Sequence, residues 1–432
     1  MASPSGQQRG PYQRSVLASS VLILVTMSSA VMVQAEPLTL SGGVISRFSD
    51  NVTRVSANEV SDTETRVNLS LAHQSDPGRC QSGTSADLGY GVWHDNTFES
   101  QDYVSLNFNG ACRLARGLSW ELSDSIRDVS QNSRANDTPD NRTRKNIFST
   151  GPVYSLMLSP VDRATVSAKY QNTEFDEPEQ TDSERYIGTA SWNHTFSQTF
   201  SGGLQFSTNR AELDTLREID TDTVSILFSK SWPATRVSGS IGVSEIESRF
   251  GSSAQSTEAL VADLSLERDI NAVTRAYIRA SRELTDQTSD FDIRFEEFVF
   301  NLQQTSQVEV SALDAGISRQ FSGGDQLNLA VFASRSDFIG TDEIEESAGL
   351  SIGYSRPLSG LWSFQSDARY RYSTYEDDLN DENYSVEAGL NYNLSQQLGI
   401  AGRVGHNARI SETIAGDSRE NWVSLSLDYR FF

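Results

Sequence analysis

The chain has 432 residues, 58 acidic against 35 basic side chains and a formal net charge of −23. So acidic a chain is a poor partner for nucleic acid, whose binding rests on neutralising phosphate with Lys and Arg. Mean hydropathy is below zero, which excludes a bundle of membrane helices but not a barrel, because half of each barrel strand is polar.

The first 35 residues read as a secretory signal peptide. Arg9 and Arg14 supply the positive end, Val16 to Val25 a short apolar run, and Val33-Gln34-Ala35 small residues for cleavage before Glu36. The run is too short for a spanning helix, which needs about 20 apolar residues. Residues 36–432 form the remaining domain. Export makes a disulfide available to the chain's two cysteines, Cys80 and Cys112.

From there on, short segments with apolar residues at every second position follow one another at even spacing, the signature of strands with one oily and one polar face. Val67, Leu69 and Leu71 mark one early segment, and Leu88, Tyr90 and Val92 the next. Val104, Leu106 and Phe108 follow, then Leu118, Trp120 and Leu122. The pattern runs on to the terminal "ENWVSLSLDYRFF", where Val423, Leu425, Leu427, Tyr429 and Phe431 alternate with Ser424, Ser426, Asp428 and Arg430. The count is twenty, with eighteen the nearest alternative. Minimal turns such as "SPVDR" at Ser159 to Arg163 alternate with longer acidic or polar connections such as Val129 to Lys145 and Glu376 to Glu382. Pro suits the turn because it cannot donate to a ladder.

This pattern predicts an all-β fold: a transmembrane, antiparallel, up-and-down β-barrel with short periplasmic turns and longer acidic outer loops, in the outer membrane of a Gram-negative bacterium. A soluble sandwich would mix connection lengths, and a propeller would repeat in fours. Phe196, Phe200, Trp232, Phe321, Trp362 and Tyr429 gather at the turn ends, where an interfacial aromatic girdle belongs. In this register Cys80 and Cys112 both fall at the periplasmic rim on neighbouring strand ends. That placement favours a disulfide over two free thiols.

Facing lipid at mid-depth, an Arg or Lys costs about 2–4 kcal/mol. The charged residues of the polar faces are therefore placed in the lumen: Lys169, Asp263, Glu267, Arg275, Arg279, Asp367, Arg369, Arg371, Glu387, Arg403 and Arg409. They either line an aqueous path or pair with one another as a polar plug. The connection Asp286 to Gln307 carries "FDIRFEEFVFNLQQ", too apolar for a purely solvated loop. Two readings stand. It is an inward-folded constriction loop with Arg294, Glu296 and Glu297 near the pore, or, more simply, a hairpin extending above the membrane.

No catalytic signature emerges. His73, His94, His194 and His406 are not spaced as metal ligands, and no Gly-x-Ser-x-Gly elbow occurs. The acidic loops read as solvated rather than as cation sites, so neither cofactor nor metal is expected, and the chain is not expected to be an enzyme.

Several stretches carry a resemblance: "SRFSDNVTR" at Ser46 to Arg54, "NRTRKNIFSTGPVYSLMLSPVDRATVSAKYQNTEFDE" at Asn141 to Glu177, "DSERYIGTASWNHTFSQTFSGGL" at Asp182 to Leu204, and the terminal "LDYRF". With these the chain resembles the beta-barrel porin-2 type of outer-membrane protein, a group that includes barrels encoded with exopolysaccharide and exosortase (PEP-CTERM) systems. The resemblance implies an outer-membrane barrel with a role in envelope polysaccharide and supplies no substrate. Tyr429, Phe431 and the extra Phe432 stand where an assembly signal belongs. Expected partners are outer-membrane lipid and lipopolysaccharide, the barrel assembly machinery, and polysaccharide or export-system proteins.

Overall fold

The computed structural model describes residues 38–295, 297–300, 302, 307–341, 343–375, 379–413 and 416–432. The signal-peptide segment and Glu296 lie outside the described residues. Twenty strands follow one another. The first ten are β1 (Thr39–Ser49), β2 (Asp62–Gln74), β3 (Cys80–Trp93), β4 (Gln101–Ala115), β5 (Leu118–Ser130), β6 (Arg142–Met157), β7 (Asp162–Phe175), β8 (Ser183–Ser197), β9 (Phe200–Leu213) and β10 (Arg217–Trp232). The second ten are β11 (Thr235–Phe250), β12 (Ser253–Asn271), β13 (Thr274–Asp286), β14 (Gln307–Gln320), β15 (Gln326–Phe338), β16 (Ile344–Pro357), β17 (Trp362–Tyr375), β18 (Asn380–Asn393), β19 (Leu398–Ser411) and β20 (Ser418–Arg430).

Each strand pairs antiparallel with its neighbours in the chain, and β1 pairs with β20 from Ser41↔Arg430 to Ser49↔Trp422. The cylinder is therefore closed and leaves no sheet edge, which a chain in hydrocarbon cannot tolerate. Both ends of the barrel domain lie at the short-turn rim, where Phe431 N–H donates to Leu40 O and Leu40 N–H to Phe432 O.

The period of two sorts the side chains. Val67, Leu88, Val166, Val224, Ile226, Ile241, Val243, Leu260, Val331, Val386 and Leu425 are exposed on the outer face around the whole circumference. A continuous apolar surface of that extent belongs in lipid, since soluble proteins rarely expose patches beyond a few hundred Å². Phe196, Phe200, Trp232, Phe321, Trp362 and Tyr429 are exposed at the short-turn end.

One part of the expected loop pattern is corrected. The outer connections β9–β10 (214–216) and β11–β12 (251–252) are tight turns, with Leu216 at φ 63° and Gly251 at φ 60°. Here the ladder continues where a loop was expected, because β10, β11 and β12 run to 16, 16 and 19 residues and carry the wall outward.

The larger cluster of buried apolar residues lies inside the cylinder, towards its outer end. It joins Phe291, Phe295, Phe298, Phe300 and Leu302 with Val308, Val310 and Ala312 of β14, Phe332 and Phe338 of β15, and Phe175 of β7. The periplasmic half of the lumen is walled by solvated polar side chains such as Ser85 and Asn109.

Ile241→Arg on the lipid face is expected to cost about 2–4 kcal/mol. Ser240→Arg, one residue away and facing the lumen, should cost far less. Urea midpoints of both variants refolded into liposomes check the assignment of faces, and equal losses would contradict it.

Candidate functional site

The lumen is shaped by two connections that turn inward. The longer joins β13 to β14. β13 pairs with β12 only as far as Ala262↔Arg282, while its pairing with β14 continues to Asp286↔Gln307. Its free end leans into the barrel, where Leu284 packs among Ala211, Leu213, Ile219 and Ile246 of the facing wall. The chain then makes one helical turn, α1 (Phe291–Arg294), whose rings form the plug's core. Phe291 stacks on Phe295 at 5.0 Å and meets Phe298 edge-on at 4.9 Å; Phe298 meets Phe300 at 4.8 Å. Burying each such side chain contributes about 1.5–3 kcal/mol, so "FDIRFEEFVF" has reason to enter the barrel rather than rise above it.

Polar anchors fix the plug to the wall. Lys145 on β6 is fully buried; its Nζ donates to Gln287 O (2.9 Å), Ser289 O (2.6 Å) and Asp292 Oδ1 (2.9 Å). Arg127 on β5 takes the other Asp292 oxygen at 2.6 Å. Arg185 on β8 donates to Asp286 and to the Thr288 hydroxyl, and Thr173 Oγ1 donates to Thr288 O at 2.8 Å. On the opposite side Arg371 of β17 holds Glu297 through its carboxylate (2.8 Å) and its carbonyl (2.9 Å). Arg294 is spent within the plug on Glu283 (2.6 Å) and Asp290 (3.2 Å). Every plug carboxylate named here has a cationic partner, as burial of charge requires.

The shorter inward connection, 131–141 between β5 and β6, lies over the outer mouth. Arg134 binds Glu345 at 2.8 Å and stacks over Tyr375 at 4.7 Å. Arg409 of β19, clamped by Asp381, donates to Ala135 O at 2.6 Å and Arg134 O at 3.2 Å. Arg54 ties Asp137 (3.0 Å) to Glu420 (3.1 Å).

Between the plug, this lid and the wall of β13–β20 and β1 remains a cavity of about 1000 Å³. Of the residues expected in the lumen, Arg279, Arg369, Arg371, Glu387 and Arg409 line it, together with Arg294 and Glu297 from the plug. Arg371, Arg409 and Arg294 are held in ion pairs. Arg369 has no ion pair among the described residues, and Arg279 lies over the Tyr277 ring at 5.4 Å. The others lie elsewhere. Lys169 pairs with Glu121 at 2.7 Å across the lumen face of β5–β7. Glu267 pairs with Arg236 at 3.4 Å and Arg275 with Asp269 at 2.9 Å near the short-turn rim. Asp263 faces the lumen from β12; Asp367 accepts from Gln365 at 3.4 Å, and Arg403 lies over Gly389.

Sequence reading missed Arg47, Arg54, Arg127, Lys145, Arg185 and Asp292. The signal was available in part: Arg127, Lys145 and Arg185 hold inward positions near the outer ends of their strands. Their acidic partners could not be paired with them from spacing.

Cys80 and Cys112 are opposite one another in the β3–β4 register and are joined by a disulfide, with Cα atoms 4.0 Å apart. It clamps the short-turn end of that hairpin.

No protein-family model and no curated protein matches the sequence. Solved structures of similar architecture include the loop-deleted outer membrane protein OmpT of Vibrio cholerae, 8% identical, covering 91% of this chain and 99% of that one with a TM-score of 0.37. The FrpB iron transporter from Neisseria meningitidis is 8% identical, covering 91% and 81%, with a TM-score of 0.44. The siderophore receptor PiuA from Acinetobacter baumannii is 9% identical, covering 92% and 82%, with a TM-score of 0.47. Likenesses at such identities carry no information about what passes through this barrel.

Asp286→Ala removes one partner of a buried pair and leaves Arg185 uncompensated, so the plug should lose about 3–5 kcal/mol of local stability. Amide exchange of residues 287–300 should rise while that of β1–β4 stays unchanged. An acid response of the lid is expected from Asp137. Desolvation raises the Asp137 carboxyl, but the Arg142 and Arg54 guanidiniums outweigh it and hold the group below the usual aspartate range. A depressed carboxylate stabilises the docked lid above its free pKa, about 3.9, and loses that contribution as pH falls through the folded value. Spin labels on Ser133→Cys and Glu412→Cys should therefore keep one distance from neutrality down to pH ~4 and separate only below it.

Proposed function

We propose that this chain is a porin-like channel of the Gram-negative outer membrane, narrowed by its own inward connection, that passes a polar, hydroxyl-rich solute. The observation that carries the reading is that the lumen is not filled. The cavity of about 1000 Å³ persists beside the plug, walled by Arg279, Arg369, Ser351, Ser385, Tyr277 and Trp422. Guanidinium, hydroxyl and aromatic groups on one wall suit sugar hydroxyls and carboxylates, because Arg donates in a planar fork and rings cover the apolar faces of sugars. The resemblance to the porin-2 type group directs the reading towards export or passage of an exopolysaccharide, with lipopolysaccharide around the barrel and polysaccharide export proteins as partners. The barrel assembly machinery would read Tyr429, Phe431 and Phe432 at the last strand. The reading assigns the chain no catalysis and no cofactor.

A second reading, a non-conducting docking barrel, is favoured by the Phe291–Phe300 core and its buried anchors. Conductance in planar bilayers separates the two. For the channel, the intact barrel should give small open steps, and Arg369→Ala should shift its ion preference towards cations. Replacing 289–300 by a short Gly-Ser link should enlarge the steps severalfold. A silent intact barrel that conducts only after the plug is removed would overturn constitutive conduction and leave the docking barrel.

A further inference from the structure

The wall is not sealed everywhere. β4 pairs with β3 down to Gln101↔Gly91, and β5 pairs with β6 up to Ser130↔Arg142. Between them, however, the ladder stops at Leu106↔Ile126. Residues 101–105 and 127–130 run side by side with no backbone hydrogen bond between them among the described residues. The cause is visible in the plug: Arg127 is drawn to Asp292, and Val129 packs on the phenylalanine cluster, so the outer end of β5 leans inward.

Three further observations define this seam. First, it lies at the level of lipid. Val104 is register partner to Leu88, and Leu88 to Leu69, both exposed on the outer face. Second, a cavity of about 460 Å³ opens on it, lined on the lumen side by Asn68, Ser70, Asp87 and Asp428 and at the seam by Tyr103, Val104, Arg127 and Asp128. Third, one side chain bridges it. Arg144 of β6 reaches the Asp102 carboxylate (3.0 Å) and the Asp102 carbonyl (3.1 Å) on β4, and Asp128 on β5 (3.4 Å). The guanidinium thus stands in for ladder donors at the outer rim of the seam.

The ladder between β12 and β13 also stops short, at Ala262↔Arg282, but differs. There Leu284 fills the space against Ala211, Ile219 and Ile246, and the interior side is apolar.

We propose that the β4–β5 seam is a lateral site for an amphipathic lipid with a hydroxyl-rich head, a glycolipid. Its head lies in the polar cavity and its chain passes between β4 and β5 into the outer leaflet. The lining carries both signs and uncharged amide and hydroxyl groups, which suits hydroxyls rather than a head of strong net charge. Tyr103, with the Arg66 guanidinium 4.3 Å from its ring, faces the lumen beside the seam. Arg144 then acts as a latch at the rim. This reading does not depend on conduction through the plug.

Two measurements on the full barrel in lipid nanodiscs test it. Hydrogen exchange reads the seam itself: the amides of 102, 104, 128 and 130, which point across it, should exchange roughly tenfold faster than those of β2 at the same level, while 101, 103, 105, 127 and 129 stay protected by β3 and β6. Equal protection would overturn the open seam. Photolabelling reads the occupant, using an alkyl glucoside with a diazirine in its chain and a phospholipid with the same chain. Glucoside adducts should concentrate on residues 104–106 and 126–128, and fall severalfold when Val104→Cys and Asp128→Cys are oxidised to a cross-strand disulfide. Adducts spread evenly around the belt like those of the phospholipid would overturn the lipid site. So would seam adducts that persist unchanged after closure. A protein strand cross-linked at the seam in place of the glucoside would replace the lipid with a β-partner and likewise overturn it.

Discussion

In hydrocarbon a backbone N–H or C=O without a partner costs several kcal/mol, so a sheet in lipid must close on itself. The β1–β20 pairing satisfies that requirement, and nearly everything else follows from it. Closure gives the two faces opposite solvents, which is why period-two alternation persists in strand after strand. Where the ladder is incomplete, something else must take its place. Between β12 and β13 apolar packing of Leu284 does so. Between β4 and β5 a polar cavity and the Arg144 guanidinium do.

A cylinder of twenty strands has a second problem: its interior is too wide for wall side chains to fill. The chain answers with two inward connections of different character. The β13–β14 segment carries its own apolar core and is bolted to the wall by Lys145, Arg127, Arg185 and Arg371. The 131–141 lid has almost no apolar side chains and is held by Arg134, Arg409 and Arg54. Arginine dominates both because its planar fork satisfies a carboxylate and nearby carbonyls together, so that few buried charges are left without a partner. Only the outer half is occupied, and the periplasmic half stays polar and wet.

The geometry of the plug and that of the seam are linked. Asp292 draws Arg127, and with it the outer end of β5, away from β4. Asp286 does the same for β13 through Arg185. Filling the lumen is therefore achieved by bending two strands out of the wall, and each bend leaves a break whose lining sets what can occupy it.

Alternation of Val423 to Phe431, repeated along the chain, was enough to point to about twenty strands in antiparallel order, and to assign the outer and inner faces and the position of Arg369 and Arg371 in the lumen. These are local properties, because side-chain direction in a strand depends only on parity. The phenylalanines of 291–300 were also conspicuous in the sequence, yet a projecting hairpin and an inward plug share that composition. Only the tertiary structure decided between them, because the partners of Asp286, Asp292 and Glu297 lie on β5, β6, β8 and β17. Pairing across a lumen depends on distances that no spacing along the chain encodes. The breaks between β4 and β5 and between β12 and β13 were hidden for the same reason: these read as ordinary strands, and their separation is imposed by what the barrel holds inside.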